Sequence, residues 1–534
     1  MSTSATDRPT VPRWLLIGWA IVAAAFLVLR RVDVAGDPGV SNIISLFVVL
    51  SALLGTFAWF LLSKRFSVRR KLAGLVCVAV ALGVMLALFR IGLGGDLGLR
   101  FEPRFGGPDT DPAVPIAEAS GAVRLPRAAA TDFPGFLGAS RDNRVVGVAL
   151  ETDLEANPPQ LLWRQGIGAG LAGFAVVGGY AATLEHRGEE ELATLYDART
   201  GALLWATVLD RGPLFGGGVI GSGPRTTPLI DDGRVFAHSV QGKIFALDGS
   251  DGSVLWSRDL LSDYPVGEEE LATTYPYGRS NSPVVVGDVL LVAPGGLPGR
   301  SLSSIAALDK ATGATLWEAG SHQISMATPQ VATLAGLDQV LVVNEDFATG
   351  HDLSDGRLLW QLELPGKTSS NANVSNAVAV PPDRVFVSKG YGIGSALWLI
   401  EARPSPEGLP YTATPLWQSQ RVMRTKFTNV AVDGEHVYGL SEGVLECIEL
   451  ATGERVWKGG RYGHGHVLLV GGVLVVSTED GEIVYVEATP QDGPNELARF
   501  EAVSGQTWNP HAIAGDLLLV RNSQEAAAFR LPTR

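Results

Sequence analysis

The feature that most constrains this 534-residue chain is a ten-residue pattern that returns five times: YDARTGALLW at 196–205, LDGSDGSVLW at 247–256, LDKATGATLW at 308–317, HDLSDGRLLW at 351–360 and IELATGERVW at 448–457. In each copy an apolar stretch ends in an Asp or Glu, a short turn closes on Gly, and a strand follows that ends in Trp. The turn glycine supplies the φ > 0 conformation that closes a hairpin, and the acidic or hydroxyl side chain hydrogen-bonds the turn backbone. The tryptophan is left to dock against a neighbouring unit. Degenerate copies end at Trp417 and Phe500, and a lone closing strand, PQLLWR, ends near Trp163. The intervals between successive aromatic positions, 42, 51, 61, 43, 57, 40 and 43 residues, suit units of four strands each.

Counting those units predicts a ring. Seven four-strand units lie between Trp163 and Phe500, and the C-terminus holds three more strands, in TWNPHAIAG, DLLLVRN and QEAAAFRL. Pairing Leu161–Arg164 with the last of them completes an eighth unit and removes two free edges. The expectation is an all-β, eight-bladed β-propeller over 131–534. The 64 glycines, 12 tryptophans and 18% charged residues agree with many short strands and tight turns. Cys77 and Cys447 are the only cysteines, so packing rather than disulfides must hold the domain together.

Ahead of the repeats, residues 1–100 read as a membrane anchor with three transmembrane helices, at about 14–29, 43–62 and 72–91, followed by a Pro- and Gly-rich linker over 101–130. Residues 1–100 carry a net charge of +7, which leaves about −20 for the rest. The loop SKRFSVRRK, 63–71, holds five of those cations and is expected in the cytoplasm, outweighing Arg30 and Arg31, whose loop also carries Asp33 and Asp37. That places the N-terminus inside and the repeats in the periplasm of a bacterial inner membrane. A cleaved signal peptide is the alternative for the first run. None of the spans has a central charge of the kind that lines an ion path. The acidic repeat domain, without a basic and aromatic patch, argues against nucleic-acid binding.

The turns and docking tryptophans resemble the repeat of pyrroloquinoline quinone (PQQ) dehydrogenases and of the propeller lipoprotein that assists outer-membrane barrel assembly. The likeness runs from about Phe133 to the C-terminus. It is nearest to bacterial PQQ-like propeller proteins that open with an FxGxxRD segment, here FLGASRDN at 136–143. GPRTTPLIDDGRVF (223–236), VFVSKGYGIG (385–394) and TWNPHAIAGDLLLVRN (507–522) look like the same group. For an enzyme of this kind the resemblance implies a vicinal Cys-Cys pair, a Ca²⁺ held by carboxylate and amide ligands, and an Asp base. The chain has no Cys-Cys pair, and no motif matches the calcium or base positions, so the reading leans away from an enzyme and no cofactor is expected. PQQ with Ca²⁺ remains the alternative.

Residues that begin the innermost strands line a funnel mouth. By repeat position these are Arg225, Arg279, Asn281, Asn373, Lys426, His464, His466, Trp508, Asn509 and His511. Being polar and partly basic within an acidic domain, they suit an anionic ligand, and Trp508 could floor a flat one. The competing expectation, and the one favoured, is that they satisfy strand ends and each other across the channel. His464 and His466 face one way on a strand, with His511 at the matching place in the next blade, a set that could hold zinc or copper, although no carboxylate second shell accompanies it. Three functions follow: a non-catalytic, membrane-tethered scaffold for a protein, peptide or envelope component; a PQQ-dependent oxidoreductase facing the periplasm; or a small-ligand sensor.

Overall fold

The structure, a computed structural model, describes residues 12–29, 37–104, 123–212, 221–267, 273–297, 299–491 and 493–534. It divides into two compact units, Met1–Gly107 and Pro108–Arg534. Arg30, Arg31, Asp33 and the body of the expected linker, 105–122, lie outside the described residues.

Among the described residues the first unit has three apolar helices, of which two, Pro38–Leu62 and Val68–Leu88, are long and apolar enough to cross a membrane. Arg13–Leu29 has 17 residues, and at about 1.5 Å per residue it reaches about 25 Å against the roughly 30 Å of a hydrocarbon core. The expectation of three spanning helices is corrected to two on length. The first helix packs on the second, Trp19 Nε1 donating to Thr56 Oγ1 at 3.0 Å and Trp14 standing perpendicular to Trp59 at 6.2 Å.

The last span also ends earlier than expected. At Phe89 the chain turns extended, and Phe89–Leu93 pairs antiparallel with Leu99–Pro103. Gly92, Gly94 and Gly95 are poor helix formers, and the aromatic and β-branched residues at 89 and 91 favour a strand. Asn42 Nδ2 donates to the Asp96 carbonyl at 2.8 Å, tying this hairpin to the second helix.

The second unit is an eight-bladed propeller. Seven antiparallel four-stranded sheets follow one another at 175–211, 229–259, 284–319, 330–363, 378–419, 431–461 and 466–501. The eighth joins three C-terminal strands, 512–530, to Gln160–Gly166. In that shared blade Ala528 faces Trp163 and Ala527 faces Arg164, so the two ends of the domain close the ring as the repeat count requires. The closure is also bolted by the buried Arg521, which donates to Thr183 Oγ1 and to the Leu184 and Gly168 carbonyls at 2.8–2.9 Å. The first strands form the inner ring, touching one another between blades eight and one, one and two, two and three, four and five, and six and seven.

At the rim, the repeat motif acts as a latch between blades. The indole nitrogens of Trp163, Trp205, Trp256, Trp317, Trp417 and Trp457 each donate to a turn carbonyl of the following blade, at Ala198, Gly249, Lys310, Leu353, Leu450 and Thr489, over 2.9–3.1 Å. The ring lies over the turn glycine: a Cβ on Gly313 would sit 2.7 Å from a Trp256 ring carbon, and its φ of +74° is one an L side chain rarely adopts. Glycine is therefore required twice at that position, by the backbone and by the neighbour.

Two of the eight interfaces depart from this pattern. Phe500 has no donor and packs edge-on against Phe529, ring centroids 5.2 Å apart. Trp360 turns back and donates to Gln339 Oε1 of its own blade at 2.7 Å, because the fifth blade has no short acidic turn to receive it.

Residues 131–150 form a strap that crosses one end of the ring. Phe133 exchanges backbone hydrogen bonds with Val176 of blade one, and the Pro134 carbonyl accepts from Ile230 N of blade two. Arg141 Nη1 reaches the Val285 carbonyl of blade three, and Asn143 Nδ2 that of Val430 beside blade six. Arg144–Val145 adds a parallel strand beside Leu469–Val470 of blade seven. Leu137, Arg141 and Asn143 all have positive φ, which lets the FLGASRDN segment fold this tightly. The expected linker, 101–130, is partly structure: 101–103 lie in the hairpin strand, and Val123 and Leu125 are buried in a core cluster of the propeller.

Candidate functional site

The mouth singled out in the sequence lies at the starting ends of the innermost strands, whereas the strap's contacts with Val176, Ile230, Val285 and Leu469–Val470 fall within those strands. At the mouth, the residue two before the inner strand in blades one to five has an N–H that donates to a side-chain oxygen of the next blade. Gly173 N donates to Thr227 Oγ1, Thr227 N to Ser282 Oγ, Ser282 N to Thr328 Oγ1, Thr328 N to Asn376 Oδ1 and Asn376 N to Asn429 Oδ1, over 2.7–3.2 Å. This belt runs through blades one to six and satisfies strand ends that would otherwise be orphaned in the core. Sequence reasoning missed these residues, although TTP (226–228), NSP (281–283), ATP (327–329), SNA (375–377) and TNV (428–430) are a recurring signal for them.

The predicted mouth residues reinforce the belt. Asn281 Nδ2 donates to the Ser325 and Ala327 carbonyls of the next blade, and Asn509 Nδ2 to those of Gly170 and Ala172. Asn373 Nδ2 serves the carbonyls of Asn344, Glu345 and Leu364. The Arg279 guanidinium, 1% exposed, donates to the Pro294 and Gln241 carbonyls and lies over the Tyr275 ring. Lys426 and Glu442 form a buried ion pair at 3.3 Å, with the ammonium over Tyr391. Arg225 is the one partly exposed member; it donates to the Tyr277 and Gly221 carbonyls, and burial lowers its pKa to about 10.

His464, His466 and His511 do not assemble as a three-imidazole metal centre. Among the described residues no group of three His, Cys, Asp or Glu side chains is arranged to hold a metal ion. His466 Nε2 contacts the Trp508 carbonyl at 2.8 Å, His511 Nδ1 contacts Ser477 Oγ at 3.0 Å, and His464 stands edge-on to Phe427. Burial holds His466 down to about 4, and burial with the neighbouring His466 holds His511 down to about 3, so both are neutral at pH 7. Trp508 donates Nε1 to Glu479 Oε1 at 3.1 Å, and its ring lies 5.5 Å from Phe427.

This bears on the quinone and calcium that the resemblance brings in. The side-chain oxygens of Asn281, Asn373 and Asn509 are buried and lack hydrogen-bond partners, so amide donors exist. The mouth carboxylates are committed, Glu442 to Lys426 and Glu479 to Trp508 and the His464 N–H. Cys77 and Cys447 are single thiols far apart in sequence. Among the described residues, these mouth side chains do not form the carboxylate-and-amide cage implied for Ca²⁺.

The comparisons agree with the repeat architecture. The family model described as outer membrane protein assembly factor BamB matches residues 152–296 and 188–459. The chain belongs to that family. It is 24% identical over 271 residues to the outer membrane protein assembly factor BamB of Moranella endobia (strain PCIT), covering 49% of this chain and 64% of the relative. To the BamB of Yersinia pestis it is 25% identical over 278 residues, covering 50% and 59%. The chain thus spans about three fifths of the length of these curated relatives. A quinohemoprotein alcohol dehydrogenase of Pseudomonas putida HK5 shares the fold with a TM-score of 0.51 at 12% identity, over 76% of this chain and 81% of that one. At that identity the likeness speaks for the propeller alone.

Proposed function

We propose that this protein is a non-catalytic propeller scaffold, tethered in the bacterial envelope, that presents its surface to protein partners in outer-membrane protein assembly. Family membership carries the reading. The mouth supports it, since its side chains serve the belt that joins the blades rather than converging on a substrate-sized site.

The tether is a pair of spanning helices in the inner membrane. Lys64, Arg65, Arg69 and Arg70 are exposed at the turn between them and at the start of the second, where cations oppose the helix dipole and are better explained by the positive-inside rule. With that turn in the cytoplasm, the propeller is periplasmic whether or not Arg13–Leu29 also crosses. A reporter enzyme active only outside the cytoplasm should work when fused after residue 110 and fail when fused at residue 66; the reverse pair overturns the topology.

The scaffold reading itself is tested by cross-linking the full chain in native membranes and identifying adducts, alongside titration of purified protein with PQQ and Ca²⁺. Adducts to envelope-assembly proteins without quinone-dependent dye reduction are expected. Saturable PQQ binding with dye turnover would replace the scaffold by the oxidoreductase reading.

A further inference from the structure

The unlatched interface between blades four and five opens a cleft of about 980 Å³ at the rim. Its cause is local. Where blades one to four and six carry a short acidic turn, blade five inserts 402–411, ARPSPEGLPY, between its last two strands, and Tyr411 N bonds to the Leu359 carbonyl of blade four. With no turn carbonyl to reach, Trp360 folds into its own blade, and the space a docked indole would have filled stays open.

Three observations define what the cleft would accept. Leu364, Ile393 and Tyr411 give it apolar wall. Its only charged lining residues are Glu363 and Glu407, both exposed and without an ion-pair partner among the described residues, so its charge is complementary to a cation. The Trp398 ring also lines it and adds to the apolar wall. The walls include the outer strands Leu358–Glu363 and Thr412–Ser419, each paired on one side only, an arrangement suited to an extended backbone.

We propose that this cleft binds an extended peptide segment carrying a basic side chain beside an apolar one, with the apolar side chain against Leu364, Ile393 and Tyr411 and the cation against Glu363 and Glu407. The inference shares with the scaffold reading only the assumption that the partner is a polypeptide. Its test does not depend on the native partner.

The probe is a fluorescein-labelled, end-blocked ten-residue peptide of alternating leucine and lysine, read by anisotropy against the purified full chain in detergent. Saturable, salt-sensitive binding is expected, at least tenfold weaker for the leucine and glutamate counterpart. The double variant E363K/E407K, changed at exposed positions, should weaken binding at least tenfold with melting temperature unchanged. Absence of saturable binding, equal binding of both peptides, or full binding by the folded double variant would overturn the cleft as a peptide site, while cross-linking in native membranes would still judge the scaffold reading separately.

Discussion

The interface between blades two and three and the one between blades four and five begin from nearly the same sequence, SVLW and RLLW, yet they end differently. Trp256 crosses to the next blade and bonds to the Lys310 carbonyl, whereas Trp360 stays at home and bonds to Gln339. The difference lies in the receiving blade: LDKATG offers a tight turn with a glycine under the indole, and ARPSPEGLPY does not. A repeat residue is thus interpreted by its neighbour, and one altered turn converts a sealed seam into a cleft.

The largest effect should separate the rim from the inner ring. His238, His466 and His511 are buried and held at about 4, 4 and 3 by desolvation, against an ordinary value near 6.5. Their unfolded forms bind protons first as pH falls, so the neutral, buried state stabilises the fold above about pH 6.5, and that stability is lost progressively toward pH 4. Together the loss is on the order of several kcal/mol. Urea titrations at pH 7 and pH 5 should show it, and H466Q should flatten the slope. The Trp205 latch, closed on the Gly249 carbonyl, holds no histidine, so the loss caused by W205A should be the same at both pH values. A latch effect that changes with pH would break the distinction.

W205A itself should cost about 3–5 kcal/mol in the same titrations, since it removes a buried indole as well as its bond to Gly249. G313A should cost about 2–3 kcal/mol from a forced φ and a collision with Trp256, while G408A in the substitute hairpin, where a Cβ meets open space, should cost about 1 kcal/mol. Equal losses at 313 and 408 would remove the dual role assigned to the latch glycine. Smallest is the donor alone: W205F should lose about 1 kcal/mol, and W360F somewhat more, because it strands Gln339 Oε1 in a fully buried pocket.

The ring was legible because its grammar is local and periodic: turn glycines, docking tryptophans and an unpaired three-strand remainder at the C-terminus leave Leu161–Arg164 as the natural completing strand, as observed. The rotation of Trp360 was not, because it depends on a turn some fifty residues away. Nor was the strap, whose FLGASRDN segment was noted only for its resemblance and whose contacts span six blades. At the mouth, repeat position correctly brought Asn281 and Asn509 to matching places, but which amide serves a neighbouring carbonyl is decided by spacing between blades. The histidines were grouped by strand parity alone, which does not reveal that Trp508 and Ser477 already engage two of them.

The central claim is that this propeller works through its outer surface and not through its mouth. The most direct test places a photoreactive benzoylphenylalanine at position 407 or at position 225 of the full chain in native membranes, followed by irradiation and mass-spectrometric identification of adducts. The account predicts a discrete envelope-protein adduct from 407 and none from 225. A discrete adduct from 225 with none from 407 would contradict it.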